Sequence, residues 1–332
     1  MKIFVPQFYN DFHCLASACP DSCCKEWEVD IDSATAALYE QLTGPLGQSL
    51  REVLRKTEDG VSMIIQDGRC PMWRQDGLCQ IHAQLGHDAL SKTCREYPRI
   101  CHDFGDFQEF GLELSCPEAA RLIFSGDYTM EQTDDGTDEE VFYEQDVMDT
   151  LLRSRRDALA FLENSSLPLP QRLAILLLFA HDVQSEIDGG EPAVLRPGEN
   201  LEDARKYAAS GNFSLIRDFF LKLEILTDRW QTLLYSAKRP HRWDPRLAKL
   251  ARYGIYRYWL QAISDYDLVC RVKLVIIACL LVSSLNVDPV AAAQLFSKEI
   301  ENDPDNVEAI LDGAYTSPSF TDIQLLGLLL NP

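Results

Sequence analysis

The sequence predicts a mainly α protein. An irregular, cysteine-rich N-terminal domain of short helices and few strands, suited to binding a metal or cluster, is expected to precede an all-helical domain. Three observations predict this. Nine of the eleven cysteines fall at or before position 116: Cys14, Cys19, Cys23, Cys24, Cys70, Cys79, Cys94, Cys101 and Cys116. Beyond residue 146 apolar residues recur at helical spacing, with no alternating βα pattern. Between the two lies an acidic stretch, 126–146, with little apolar content. The expected divisions are therefore a cysteine-rich domain at 1–125, a linker at 126–146 and a helical domain at 147–332.

Within the first part, Asp32 and Ser33 open a helix through Leu38 and Leu42, and a second helix covers 46–55. Residues 61–65 read as a short strand. The turns Asp67-Gly68 and Asp76-Gly77 stand just before Cys70 and Cys79, a placement that aims side chains without the fixed spacing of a helix. A long helix is expected at 141–162, a break at 165–170, a helix at 171–187 and a loop at 189–198. Further helices are expected at 199–210, 213–236, 245–263, 267–286, 289–302, 305–313 and 320–330. Asp288 before Pro289, and Thr321, are the clearest N-caps. The apolar run 274–282 is too short to span a bilayer and reads as a buried core helix carrying Cys270 and Cys279 as plain buried thiols. Tyr253, Tyr256, Tyr258 and Trp259 read as core aromatics.

The opening residues MKIFVPQFYNDFHC contain no apolar signal core, so a cytoplasmic location is expected, where thiols stay reduced. A dense thiol set in that setting reads as a metal or cluster site, and an odd count with an adjacent pair fits a disulfide framework poorly. The formal net charge of −21 argues against nucleic acid or an anionic membrane as partner and favours a cationic one. The CxxC knuckle of zinc ribbons is absent, and so is CxxxCxxC; iron–sulfur clusters tolerate less regular spacing. His13, His82, His87 and His102 are near enough in sequence to replace a thiolate.

Four segments carry a resemblance: FHCLASACPDSCCKEWEVDID, RCPMWRQDGLCQIH, LSKTCREYPRIC and ELSCPEAARL. In this order they look like the cysteine motifs of the flagellin lysine-N-methylase family, and the CxxxCC element is similar to broader zinc- or iron-chelating domains. The resemblance implies S-adenosylmethionine-dependent transfer of a methyl group to lysines of a protein substrate, flagellin in the family's named case. It also implies an iron–sulfur cluster, 4Fe-4S, with zinc as the alternative, drawing its ligands from the nine cysteines. Cys19, Cys23, Cys79 and Cys94 sit in the motif cores and rank first.

Methyl transfer needs a neutral amine, so proton acceptors or cation guides are sought among Glu26, Glu28, Asp30, Asp32, Glu96 and Tyr97, with Tyr97 the catalytic candidate. Arg95 is suited to balancing thiolate charge. No GxGxG turn after a strand marks a place for the adenosyl group. A metal-binding module without catalysis, with a helical protein-interaction domain, and a redox protein are the alternative readings.

Overall fold

The computed structural model describes residues 1–57, 60–126, 129–134, 136 and 141–331. Residues 127–128, 135 and 137–140 of the acidic stretch lie outside this set. The N-terminal region is mixed α/β, which corrects the expectation of an irregular region with few strands. Its strands are β1 (Lys2–Pro6), β2 (Val29–Ile31), β3 (Leu54–Lys56), β4 (Val61–Met63), β5 (Arg99–Asp103), β6 (Phe107–Leu112) and β7 (Met130–Asp134). They form a four-stranded sheet in the order β5-β6-β1-β7 and a three-stranded sheet in the order β2-β4-β3. β1 runs parallel to β6, with Phe4 opposite Glu109, and antiparallel to β7. The smaller sheet is antiparallel throughout.

Physical reasons explain why the larger sheet escaped the sequence pattern. In β6 the side chains of Phe107 and Glu109 alternate into the interior, but a charged residue interrupts the apolar signal. Arg155 compensates the buried Glu109 carboxylate, donating to both oxygens at 2.6 and 2.5 Å. β7 is exposed along its whole length, so backbone pairing with β1 places it rather than apolar burial. Six helices accompany the strands: α1 (Gln7–Asn10), α2 (Ser33–Gln41), α3 (Gly44–Val53), α4 (Gln80–Leu85), α5 (Lys92–Glu96) and α6 (Pro117–Ser125).

The remainder is mostly helical, as expected. It comprises α7 (Gln145–Asn164), α8 (Leu169–Ile187), α9 (Pro197–Tyr207), α10 (Phe213–Phe220), α11 (Asp228–Ser236), α12 (Leu247–Tyr258), α13 (Val269–Ser284), α14 (Pro289–Phe296), α15 (Pro304–Thr316) and α16 (Asp322–Leu330). The single helix expected at 213–236 is two, because the Thr227 hydroxyl accepts the Trp230 N–H and starts α11 afresh. The helix expected at 289–302 changes winding after Phe296, and Ser297–Glu301 form a π-helical turn. Asp288 and Thr321 cap α14 and α16. α13 is buried on nearly every side, Cys270 and Cys279 included, and no helix among the described residues is long and apolar enough to cross a membrane.

Two apolar cores result. The larger joins the helices to β1, β6 and α6 through Phe8, Phe107, Leu112, Ile123 and Phe124. The smaller contains Val29, Tyr39, Leu50, Met63, Cys70 and Ile81, and lies beneath the three-stranded sheet and α2 to α4. α12 stitches the larger sheet down. The Tyr253 hydroxyl accepts the Leu112 N–H at 2.9 Å and donates to the Leu112 carbonyl at 2.6 Å. Gly111 permits this approach, since a Cβ there would stand 2.8 Å from that hydroxyl.

Candidate functional site

All eleven cysteines are free thiols. Local chain geometry brings four of them into one neighbourhood. The left-handed turn at Asp67 and Gly68 delivers Cys70, whose N–H donates to the Cys24 carbonyl at 2.8 Å. Gly77, at φ 80°, turns the chain into Cys79 at the start of α4. Ser91 caps α5 by accepting the Cys94 N–H at 3.3 Å, which fixes the first turn carrying that thiol. Cys70 belongs to the smaller core, and Cys24 and Cys79 pack against it.

Burial pushes the Cys70 thiol up to about 12, and the charges of Cys24, Cys79 and Cys94 add to the rise. It pushes Cys94 to about 11, with Cys24 and Cys79 adding. Cys79 is raised by burial and then by Cys24. These four thiols therefore repel one another when ionised. Cys23 is raised by its hydrogen bond to Cys24, by burial, and by the charges of Cys24, Cys94 and Cys14. The partner of that bond, Cys24, is lowered, so the adjacent pair favours one thiolate on Cys24. Cys23 and Cys94 have exposed surface and line one cavity.

A second neighbourhood holds Cys14, Cys19 and Cys116. Burial raises Cys116 to about 11, and Cys19 and Cys14 raise it further. Cys19 is raised by burial, with Cys14 and Asp21 adding. Cys101 lies on β5, where the charges acting on it are those of Asp103 and Glu96. Among the described residues no three His, Cys, Asp or Glu side chains already stand together as a metal site.

The other expected residues are dispersed. The rings of His82 and His87 stand 6.0 Å apart, and His13 Nδ1 lies 3.0 Å from the Asp11 carbonyl. His102 is pushed down to about 4 by burial, then by Arg257 and Arg155. Asp32 serves as the cap of α2 and also accepts the Lys92 N–H; these bonds hold its carboxyl down at about 2. Arg95 reaches the Asp88 and Leu90 carbonyls. Glu96 ends α5. Glu28 pairs with Arg55, and Asp30 is exposed on β2. Tyr97 lies 3.1 Å from the Ser115 hydroxyl, and burial followed by the charge of Cys116 raises it well above the ordinary phenol range. At neutral pH it is a proton donor.

Sequence reasoning missed the cation that ties the cysteine loop to the helices. Lys298, in the π-helical turn, is fully buried; its ammonium lies 3.0 Å from Asp21 and 2.6 Å from Glu26, and 5.1 Å from the Trp27 ring. Its signal was a lysine on the apolar face that also carries Leu295, three residues earlier. Arg257, on α12, joins Glu113 at 3.0 Å and Glu301 of the same π-helical turn at 3.1 Å, again linking the two regions. Beside these groups opens a cavity of about 310 Å³ that Cys23, Cys94, Trp27 and Tyr97 help to line.

Comparison with known proteins finds the flagellar biosynthetic protein FliU of Salmonella muenchen, 32% identical over 127 residues, which are 36% of this chain and 75% of that protein. The chain belongs to the FliU family. Two lysine-N-methylases, from Salmonella choleraesuis and Salmonella typhimurium, are likewise 32% identical over 127 residues. That match covers 36% of this chain but only 32% of each methylase, so the chain spans about a third of their length. No model of a protein family and no solved structure matches the chain.

Proposed function

We propose that this chain is a protein-lysine N-methyltransferase that uses S-adenosylmethionine and carries a thiolate-bound metal centre, an iron–sulfur cluster of the 4Fe-4S type in preference to zinc. One observation carries the reading: Cys24, Cys70, Cys79 and Cys94 gather in a chain of the FliU family whose other relatives are named lysine-N-methylases. The donor set suits such a group in kind, being four free, reduced, mutually repelling thiols beside a small apolar core. Cys24, Cys70, Cys79 and Cys94 would hold it, which regroups the motif-core ranking of Cys19, Cys23, Cys79 and Cys94. Cys14, Cys19 and Cys116 offer a second place. A metal centre there would relieve the repulsion among the thiolates and supply structural or redox chemistry.

In the reaction the lysine nitrogen loses a proton, its nitrogen–carbon bond forms and the sulfur–carbon bond of the donor breaks. The chain's own task is to hold amine and methyl group in line and to keep water from them. Tyr97, held protonated, suits a role in orienting rather than in removing the proton. The substrate is a protein with surface lysines; the flagellar name of the FliU relative supports flagellin. Incubation with methyl-labelled S-adenosylmethionine and flagellin, without oxygen, should place label on lysine. Metal-replete protein that transfers none would leave a metal-binding module and overturn the methyltransferase reading.

A further inference from the structure

The cavity beside the cysteine loop has a composition that the thiol chemistry does not require. Two aromatic rings, Trp27 and Tyr97, line it with centroids 6.2 Å apart. Four carboxylates line it as well: Glu28, Asp30, Glu113 and Glu301. Among the described residues no lysine, arginine or histidine lines it. Behind the wall, Arg257 serves Glu113 and Glu301 together, and Arg55 meets Glu28. Two guanidinium groups set against four carboxylates leave the cavity with net negative charge.

We infer that this cavity receives the cationic side chain of a lysine from a partner protein, with Trp27 and Asp30 as its recognition residues. The inference rests on the lysine-methyltransferase reading and names the place where the amine enters. Aromatic faces attract an ammonium through their negative quadrupole, and Trp does so best. A volume of about 310 Å³ admits one alkylammonium chain and little more. The molecule already holds an ammonium in this way: Lys298 stands over the same indole, between Asp21 and Glu26. Cys23 and Cys94 lie on the cavity wall, so an amine bound there would be next to the thiol neighbourhood. The net charge of −21 steers cationic surfaces toward the chain.

The test titrates the full chain with Nα-acetyl-lysine methylamide and, separately, with the same compound acetylated at Nε, following binding by NMR or calorimetry. The charged probe should bind and the neutral one should not. Trp27→Ala should weaken binding roughly tenfold, Trp27→Phe should restore most of it, and Asp30→Asn should weaken it about threefold. Asp30 is exposed, so its variant keeps the test decisive if Trp27→Ala does not fold. Equal binding of the two probes, or unchanged affinity in Trp27→Ala and Asp30→Asn, overturns the inference. Displacement of the lysine probe by S-adenosylmethionine would assign the cavity to the donor's sulfonium and overturn it too. Probe binding needs no methyl donor, so failure of methyl transfer leaves this result standing. Methylation with an unchanged KM for the protein substrate in both folded variants would sink the cavity alone.

Discussion

Single side chains in this molecule are decided by what burial leaves them next to. Asp322 shows the balance. Burial by itself would raise its carboxyl, but His181 and Lys273, each 2.9 Å away, outweigh that and hold it at about 2, below the ordinary 3.8. A value lowered by folding gives stability that is complete above the ordinary 3.8 and lost as pH falls toward about 2. The difference in urea midpoint between the native chain and Asp322→Asn should therefore shrink steadily across that acid window. A difference that stays constant with pH would refute the assignment. The thiols follow the same physics with the opposite sign, since burial and neighbouring charges oppose their ionisation. Their number and order were legible in the sequence. Their grouping was not, because Cys24 meets Cys70, 46 positions further along the chain, through a backbone hydrogen bond and no local pattern encodes that contact.

Elements explain which expectations held. The helices of the second half were legible because apolar spacing and caps such as Asp288 and Thr321 agree. The sheet was not, since β7 is wholly exposed and β6 buries a glutamate whose partner, Arg155, sits on α7. The π-helical turn Ser297–Glu301 was read as plain helix, yet it sets Lys298 against the cysteine loop and Glu301 against Arg257. Replacing Lys298 with methionine removes the cation from two partly buried carboxylates. It should cost about 3 kcal/mol in urea unfolding, because a broken buried pair leaves uncompensated charge. A loss under about 0.5 kcal/mol, the size of an ordinary surface change, would mean the link is not structural.

At the scale of the whole molecule, Lys298 ties the cysteine loop to the helices, while Arg257 and Tyr253 tie Glu113 and the end of β6 to them. This arrangement places the main thiol neighbourhood, the acidic aromatic cavity and the π-helical turn close together. The sequence exposed the thiols and the helices, but the cavity is assembled from residues 23–30, 93–97, 113 and 301–302, too far apart in the chain to read as one motif. Cys24, Cys70, Cys79 and Cys94 are the proposed holders of a metal centre in a lysine methyltransferase. The most direct test measures iron, sulfide and zinc per chain after purification without oxygen, in the native protein, in Cys24→Ser and in Cys101→Ser. Bound metal is expected in the native protein, kept in Cys101→Ser and lost from Cys24→Ser. Native protein without metal, or equal metal in both variants, would contradict it.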